Sequence, residues 1–221
     1  MKISIVIPTK NRQSSLYRTI KSLNIQNFKN FEIIIIDQSE KINHKLKNNN
    51  NIKYFFEPTI NSLVEAKKFS LKHVKTEYVG FLDDDVELDR NFINNLHNSI
   101  IKLKPIGISG TDNFAREKNI FVFILKKIFL IGNFSDDRIY FFDNNKLVKT
   151  NKLSGGYTFF KTEIFKKIGF REERLFHLNE DVDISWKIKK VFKENFYIDR
   201  SAKLIHHTKN TNTINIKDID T

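Results

Sequence analysis

The chain has no cysteine and little glycine or proline, with 7 Gly and 3 Pro among its 221 residues. The absence of cysteine excludes disulfides, zinc–thiolate sites and a cysteine nucleophile, and it is typical of proteins in a reducing compartment. The apolar stretch at residues 3–7, which ends before Pro8, is too short for the core of a signal peptide or for a membrane span. We therefore expect a cytoplasmic protein.

What the chain has in quantity is apolar and basic side chains. Hydrophobic residues make up 40% of the sequence, which predicts a packed globular protein, and the length suits one domain. We expect that domain at residues 1–207, followed by a polar tail at residues 208–221. The net charge of +12 would attract polyanions, and by itself it leaves nucleic acid, an anionic membrane surface and phosphorylated ligands open.

The first half of the sequence alternates between strand and helix patterns. Residues 3–7 and 32–36 are β-branched and apolar at nearly every position, as expected of parallel strands covered on both faces. Between them, apolar residues recur at helical spacing after Ser14, a candidate N-cap: Leu16, Ile20 and Leu23. Further strands are predicted at 52–56 and 78–82, with helices at 62–74 and 180–192. This alternation predicts a single α/β domain with a sheet of the nucleotide-binding kind, flanked by helices.

Polar clusters follow three of the predicted strands, at residues 8–12, 37–39 and 83–85. In open α/β sheets, ligands bind beyond the carboxyl ends of the strands. The placement of these clusters therefore predicts a ligand site at that edge of the sheet.

The cluster Asp83-Asp84-Asp85 suits a metal ion. In an extended segment Asp83 and Asp85 point the same way, and two carboxylates on one side suit a hard divalent cation that completes its shell with phosphates. An Asp-rich turn is the alternative. An EF-hand loop does not fit, because Leu88 and Asn94 stand where that loop needs Gly and Glu. Three acids directly after an apolar strand would repel one another without a cation, so we favour a metal site.

In this order the motifs resemble those of family 2 of the inverting glycosyltransferases, which have the GT-A fold. The segments concerned are ISIVIPTKNR, IIIIDQS and EYVGFLDDDVEL. The resemblance implies that Asp85 binds Mn²⁺ or Mg²⁺ bridging the donor diphosphate, with Asp83 also near the metal. It further implies a set of residues that bind the nucleotide sugar: Pro8, Thr9, Arg12, Asp37, Asp83 and Asp84.

The helix before the metal motif departs from the family pattern. The family often has Gly, Ala-Arg-Asn and Gly there, where this chain has Ser62, Ala66-Lys67-Lys68 and Ser70. Lys67 keeps the positive charge of the arginine but lacks its bidentate fork. We include Lys67 among the candidate donor-binding residues on its charge alone.

The predicted helix at 180–192 carries two further acids at its start. Asp181 shares a face with an apolar stripe and should point inward: Ile184, Ile188 and Val191. Taken alone, Glu180 and Asp181 would be read as residues that cap the helix. The segment EDVDISWKI, however, resembles the family helix that delivers the catalytic base, which implies that Asp181 is the base and Glu180 supports it or the acceptor. Asp183 is expected at the surface or behind the base, and Trp186, which is more often a core residue than a platform for a sugar, is left unassigned.

Two other segments extend the resemblance. Gly155-Gly156 precede an apolar strand and resemble the family's glycine-bearing segment, which implies that Gly156 lies against the donor, although a plain turn fits equally well. His206 and His207 follow a short predicted strand at 202–205, in a place that resembles the one where many members supply a metal ligand. We prefer His206.

The resemblance implies hexosyl transfer from a UDP-, dTDP- or GDP-linked sugar to a hydroxyl of a glycan or lipid-linked acceptor, in the synthesis of surface polysaccharide or glycoconjugates. A nucleotidyltransferase is an alternative, but residues 8–12 lack the Gly-rich phosphate loop expected of one. A nonenzymatic nucleic-acid-binding protein would explain the charge, but its acidic clusters would repel phosphate. We therefore expect no nucleic-acid partner.

Residues 120–131 are apolar except for Lys126 and Lys127. A buried strand or helix is one interpretation. The other is an interfacial segment whose lysines lie among anionic headgroups, which would place the protein peripherally at the cytoplasmic membrane face.

Overall fold

The computed structural model describes residues 1–113, 121, 124–125, 146–153, 155–170 and 180–207. Strands and helices alternate along this part of the chain, in the following order: β1 (Ile3–Thr9), α1 (Gln13–Asn24), β2 (Phe31–Asp37), α2 (His44–Lys47), β3 (Ile52–Phe56), α3 (Leu63–Ser70), β4 (Tyr78–Leu82), β5 (Val86–Leu88), α4 (Phe92–Leu103), β6 (Gly107–Asp112), β7 (Leu147–Thr150), β8 (Tyr157–Lys161), α5 (Ile164–Ile168), α6 (Glu180–Phe192) and β9 (Phe196–His206).

The strands form one sheet, in the order β3-β2-β1-β4-β8-β6-β9-β5, with β7 paired to β9. The first four strands of this order are parallel, as predicted. Strand β8 is antiparallel to both β4 and β6, so the second half of the sheet is mixed. Thr9 pairs with Asp37, so the carboxyl ends of β1 and β2 lie side by side at one edge.

The core has two layers, one on each face of the sheet. On one face, Ile5 of β1 packs with α1 and α4. On the other, Val6 packs with α3, α5 and α6. Burying one such side chain stabilises a fold by about 1.5–3 kcal/mol. The predicted helix stripe of α1 is buried as expected: Leu16, Ile20 and Leu23.

Several predicted boundaries are wrong. Ser14 is not an N-cap, because α1 begins at Gln13, directly after a left-handed turn at Asn11 (φ 54°) and the cap residue Arg12. Helix α3 ends at Ser70 rather than at residue 74, although its start is capped by Ser62, whose hydroxyl accepts from the Glu65 amide. Strand β9 is longer than the predicted 202–205, because it pairs with β5, β6 and β7.

The prediction for α6 needs two corrections. Its bounds are as predicted, but Val191 is exposed and Phe192 packs against the core, because the buried stripe advances by four residues at each turn. Asp183 is not at the surface, because its side chain is only 8% exposed and pairs with Lys187. Trp186 is 47% exposed, since it lies on the opposite side of the helix from Ile184 and Ile188.

Most of the apolar run at 120–131 and the whole tail at 208–221 lie outside the described residues. From that run the structure describes Phe121, Ile124 and Leu125, which are exposed. In the described part of the chain, no helix combines the length and the apolar character that crossing a membrane would require.

Candidate functional site

Two carboxylates and an imidazole converge just beyond the carboxyl end of β4. The chain turns at Asp84 and Asp85 rather than continuing extended, and this turn brings Asp83 and Asp85 to one side. The Nε2 atom of His206 lies 3.0 Å from Oδ1 of Asp85 and 3.5 Å from Oδ2 of Asp83. One ligand atom from each of these three residues lies within 4.8 Å of the others, which is the arrangement of a candidate metal site. We call these three residues the acidic triad.

Strand pairing brings His206 to the acidic triad. Strand β5 follows the aspartates directly and pairs antiparallel with the end of β9, so that Val86 lies opposite His206. The backbone amide of His207 donates to the carbonyl of Asp85 over 2.9 Å, which closes this pairing. The ring of His207 bonds to Glu87 instead. Of the two histidines, it is therefore His206, the one preferred from the sequence, whose ring faces the aspartates.

The middle aspartate has a different environment from its neighbours. Asp84 is buried, accepts a hydrogen bond from the Thr9 hydroxyl (2.6 Å) and forms an ion pair with the Arg12 guanidinium (2.9 Å). Burial raises the pKa of Asp84, and these two partners oppose the shift. Its contacts fix the loop after β1 against the turn after β4. Asp84 thus joins the two strand ends that form the site.

Cations offset the repulsion between the aspartates. Arg12 bonds to Asp85 as well as to Asp84. Burial opposes ionisation of Asp85, but hydrogen bonds from His206 and Arg12 outweigh it and lower its pKa. Burial raises the pKa of Asp83, while the hydrogen bond to Asp85 raises the pKa of His206. Within the described residues, then, His206 and Arg12 lie beside the carboxylates whose charge a bound cation would compensate.

A cleft of about 370 Å³ opens beside the acidic triad. It gathers side chains from the ends of β1, β2 and β4 and from the start of α3, namely Pro8, Thr9, Lys10, Arg12, Gln38, Asn61, Leu63, Asp83, Asp84, Asp85 and His206. Sequence reasoning missed Asn61 and Leu63, because no local pattern points to them. Gln38 fell within a flagged polar cluster, and its amide donates to the carbonyls of Ile60 and Ser62.

Asp37 lies at the neighbouring strand end but does not line this cleft. It is buried, with one oxygen accepting from the Ser39 amide (2.9 Å) and the other from the Tyr54 hydroxyl (2.6 Å). Burial and the hydrogen bond to Asp37 raise the pKa of Tyr54, so the hydroxyl stays protonated and donates. The carboxylate is thereby held rigidly at the edge of the sheet.

Lys67 and Glu180 form a buried ion pair on the other side of Asp83. The Lys67 ammonium bonds to Oε1 of Glu180 and donates to the carbonyl of Gly155 over 3.2 Å. Both side chains are nearly excluded from solvent, at 3% and 10% exposure. Lys67 does not line the cleft of about 370 Å³. Its charge is engaged by Glu180, which is 113 residues away in the sequence. The Oε2 atom of Glu180 has no hydrogen-bond partner among the described residues.

Two adjacent glycines join this pair to the acidic triad. A Cβ atom on Gly156 would lie 2.1 Å from Oδ2 of Asp83, and one on Gly155 would lie 3.0 Å from Oε1 of Glu180 and 3.5 Å from Cβ of Asp181. Gly156 therefore lies against Asp83, and the residue before it, Gly155, lies against the start of α6. Asp181 is half-buried, and its Oδ1 accepts from the amide of Val182.

Comparisons with known proteins relate the sequence and the fold to glycosyltransferases. The sequence profile described as Glycosyl transferase family 2 matches residues 4–169. The chain is 36% identical over 94 residues to a GalNAc(5)-diNAcBac-PP-undecaprenol beta-1,3-glucosyltransferase of Campylobacter jejuni, an alignment that covers 39% of this chain and 30% of that protein. The chain thus spans about 30% of the length of this curated relative.

Two crystal structures resemble the fold at 18% sequence identity. One is S. aureus TarS 1–349 in complex with UDP-GlcNAc (TM-score 0.68, covering 96% of this chain and 60% of that one). The other is GalNAc-T7 with UDP, GalNAc and Mn²⁺ (TM-score 0.70, covering 93% and 43%). The sheet and its flanking helices are those of the GT-A fold. Because the family profile covers most of the sequence, from β1 through α5, the chain belongs to glycosyl transferase family 2.

Proposed function

We propose that this chain transfers a hexosyl unit from a nucleotide-diphosphate sugar to an acceptor hydroxyl, with inversion at the anomeric carbon and with a divalent metal ion. The observation that carries the proposal is the position of the acidic triad. It lies in one wall of a cleft whose other wall comes from the loop after β1. This is the carboxyl edge of the parallel strands, where ligands of such sheets bind.

The acidic triad fits a divalent metal ion by its donor chemistry. Carboxylate oxygens and a neutral imidazole suit Mn²⁺, and the carboxylates also suit Mg²⁺. Asp85 gives one oxygen to Arg12 and keeps Oδ1 on the side of His206. When bound, the ion would stabilise negative charge on the leaving nucleoside diphosphate. Asp85, Asp83 and His206 would hold it.

The donor would lie in the cleft of about 370 Å³. Pro8, Thr9 and Arg12 line it, and the side chain of Arg12 is 37% exposed, so it could also contact a phosphate. Asp83 would contact the sugar nucleotide. Asp84 would act by holding Thr9 and Arg12 in place. UDP is the nucleotide we propose, because both structural neighbours were crystallised with UDP or a UDP sugar.

Asp37 and Gly156 complete the proposed donor site. Asp37 would meet the base at the edge of the cleft, where Ser39 and Tyr54 fix its carboxylate. Gly156 would admit the donor sugar because a side chain there would displace Asp83. Lys67 would contribute indirectly, since its charge is engaged by Glu180.

Asp181 is the proposed general base. An acceptor hydroxyl must lose its proton as it attacks the anomeric carbon from the face opposite the leaving group, and a positioned carboxylate can take that proton. Asp181 lies at the start of α6, and Gly155 and Gly156 bring it near Asp83. Glu180, held by Lys67, would keep this end of the helix in place.

The proposed acceptor is a glycan or lipid-linked glycan of the cell surface. The Campylobacter relative is named for an acceptor carried on a lipid diphosphate. The net charge of +12 would favour peripheral contact with the cytoplasmic membrane face, at about 1 kcal/mol per basic residue near the surface. Flotation with anionic and neutral vesicles at low salt tests this location, and absence from the anionic vesicle fraction would contradict it.

A donor screen tests the proposed activity. The purified chain is incubated with UDP-, dTDP- or GDP-linked hexoses, with Mn²⁺, Mg²⁺ or EDTA, and both binding and release of nucleoside diphosphate are measured. We expect binding and slow hydrolysis of a UDP sugar with Mn²⁺ and neither with EDTA. No binding of any donor at millimolar concentration with either metal would overturn the proposal.

A further inference from the structure

A second cleft, of about 280 Å³, lies against the outer face of α6. Five of its lining residues come from the helix, among them Trp186, Lys189 and Lys190, and two come from the segment after β7, Asn151 and Lys152. The helix residues are spaced by three and four positions, so they share one face of α6. Trp186 is the one tryptophan of the chain, and 47% of it is exposed. We call this cleft the Trp186 groove.

The Trp186 groove is positively charged. Lys189 bonds to the side-chain oxygen of Asn151, a neutral partner, and the Lys190 ammonium lies 4.8 Å from the centre of the Trp186 ring. In the described part of the chain, no carboxylate lines the groove, which has Lys152 as a third cation. By contrast, Lys187 on the same helix is paired with Asp183 at 3.0 Å. The groove therefore suits an anionic ligand.

The Trp186 groove begins next to the proposed base. Val182, which lines the groove, follows Asp181 directly in the sequence. The amide of Leu153 donates to the Ser185 hydroxyl over 3.2 Å, which holds the segment after β7 against the helix. With a rise of 1.5 Å per residue, the backbone of Lys189 lies about 12 Å along the helix from Asp181. Asp181 itself does not line the groove but a small neighbouring pocket with Gly155 and Glu180, so a ligand held by the lysines would have to extend around the first turn of α6 to meet it.

We propose that the Trp186 groove is an acceptor subsite that binds a sugar phosphate ester, with the phosphate at Lys152, Lys189 and Lys190. Charge-assisted hydrogen bonds from ammonium groups recognise phosphate, and an exposed indole provides the apolar, amphipathic surface that suits a sugar ring. Calling the ligand an acceptor rests on the proposed transferase function. Binding of a sugar phosphate in the groove does not, and it can be measured separately.

Trp186 itself reports on occupancy, because it is the chain's single tryptophan. Its fluorescence is followed while the full chain is titrated with glucose 1-phosphate, glucose or inorganic phosphate, in EDTA and without donor. We expect a saturable change with glucose 1-phosphate, a weaker one with phosphate and none with glucose. Equal responses to glucose and glucose 1-phosphate, or no response to either, would overturn the proposal.

Matched variants locate the binding. For Lys189→Ala and Lys190→Ala we expect about tenfold weaker binding of glucose 1-phosphate each, about 1.4 kcal/mol, because each variant removes one charge-assisted hydrogen bond to the phosphate. Lys187→Ala, on the same helix but paired with Asp183, should bind as the unmodified chain does. Equal affinity in all three variants would contradict the assignment.

Two further arms separate the proposal from its alternatives. Phosphatidylglycerol vesicles are titrated in the same way, and a response to the vesicles without one to glucose 1-phosphate would identify a membrane contact and overturn the sugar phosphate site. Donor turnover is measured on the same samples. Glucose 1-phosphate binding that depends on Lys189 and Lys190 supports the sugar phosphate site even if no donor is turned over. Donor turnover without such binding overturns the sugar phosphate site and leaves the transferase proposal standing.

Discussion

The acidic triad and the Lys67–Glu180 pair are neighbours, with Gly156 against Asp83 and Gly155 against Glu180, and they differ in charge and exposure. In the acidic triad, Asp83 and His206 are about a quarter exposed, both carboxylates face one imidazole, and Asp85 also bonds to Arg12. In the pair, one cation meets one anion out of contact with water. The acidic triad is open and has room for a further cation. The pair is internally neutralised, so we assign it to holding α6 rather than to binding ligand.

The largest effect on transfer is expected at the acid beside the pair. Asp181→Asn keeps the shape of the side chain but removes the proton acceptor, so we expect transfer to fall by about 10²–10⁴-fold. Binding of Mn²⁺ and UDP should stay near the level of the unmodified chain, because these ligands belong to the acidic triad. Transfer rates and UDP affinity are measured on the same preparation.

A substantial residual rate in Asp181→Asn would mean that another group accepts the proton. Asp183→Asn is the matched control, because Asp183 lies two residues away on the same helix and its carboxylate is paired with Lys187. We expect that control to transfer at nearly the normal rate.

The next effect concerns stability. Lys67→Met leaves the Glu180 carboxylate buried and without its cation, so the free energy of unfolding should fall by about 3–5 kcal/mol. Adding Glu180→Gln removes the unpaired charge and should restore much of that loss. Urea denaturation of the single and double variants measures both values. If Lys67→Met unfolded at the same urea concentration as the unmodified chain, the pair would not hold the helix as we describe.

The two glycines test the boundary between the acidic triad and the pair. Gly156→Ala places a methyl group against Asp83, and overpacking of this kind costs about 1–3 kcal/mol. Because the methyl group would displace Asp83 from the donor site, we expect weaker donor binding. Gly155→Ala makes a looser contact, with Glu180, and should have the smaller effect on donor binding. Calorimetric titration with UDP and Mn²⁺ compares them. Equal donor affinity in both variants would show that the close approach of Gly156 to Asp83 does not matter for the donor.

The smallest effect is expected at an ion cluster at the opposite edge of the sheet. Glu32 bonds to Ser4, Lys2 and Lys53. Burial opposes its ionisation, but these partners prevail and lower the pKa of Glu32 to about 2. A depressed folded-state pKa means that the stabilisation is present above pH 4.5 and is lost as the pH falls toward 2.

Glu32→Gln should remove that pH-dependent contribution, about 1 kcal/mol for a surface ion cluster. The difference in unfolding free energy between Glu32→Gln and the unmodified chain is measured from pH 6 to pH 2. We expect it to shrink as the pH falls. A difference that stayed constant over this range would contradict the depressed pKa.

Local patterns predicted the parallel half of the sheet well. Strands β1, β2 and β4 bury side chains on both faces, so each carries a largely apolar run, whereas β3 has Lys53 exposed. The polar clusters at their ends predicted where the cleft lies, because the direction of a parallel strand fixes which end faces the ligand. The start of α6 was also readable from its acids and its periodicity.

The rest depends on contacts between distant parts of the chain. Nothing local indicates that β8 inserts antiparallel beside β4, or that Lys67 pairs with Glu180. Such pairings are set by the topology of the sheet, so the sequence predicted the members of the candidate site better than their partners. The exposure of Trp186, by contrast, could have been inferred from periodicity, because Trp186 lies opposite the predicted stripe of Ile184 and Ile188.

The central claim is that Asp83, Asp85 and His206 bind a divalent cation that carries the donor diphosphate. The direct test is a titration of Mn²⁺ followed by the electron paramagnetic resonance signal of the free ion, with and without UDP, for the unmodified chain, Asp85→Ala and Asp183→Asn. We predict that UDP tightens Mn²⁺ binding in the unmodified chain and in Asp183→Asn, and that Asp85→Ala loses this binding while remaining folded. Identical Mn²⁺ titrations for Asp85→Ala and the unmodified chain in the presence of UDP would contradict the claim.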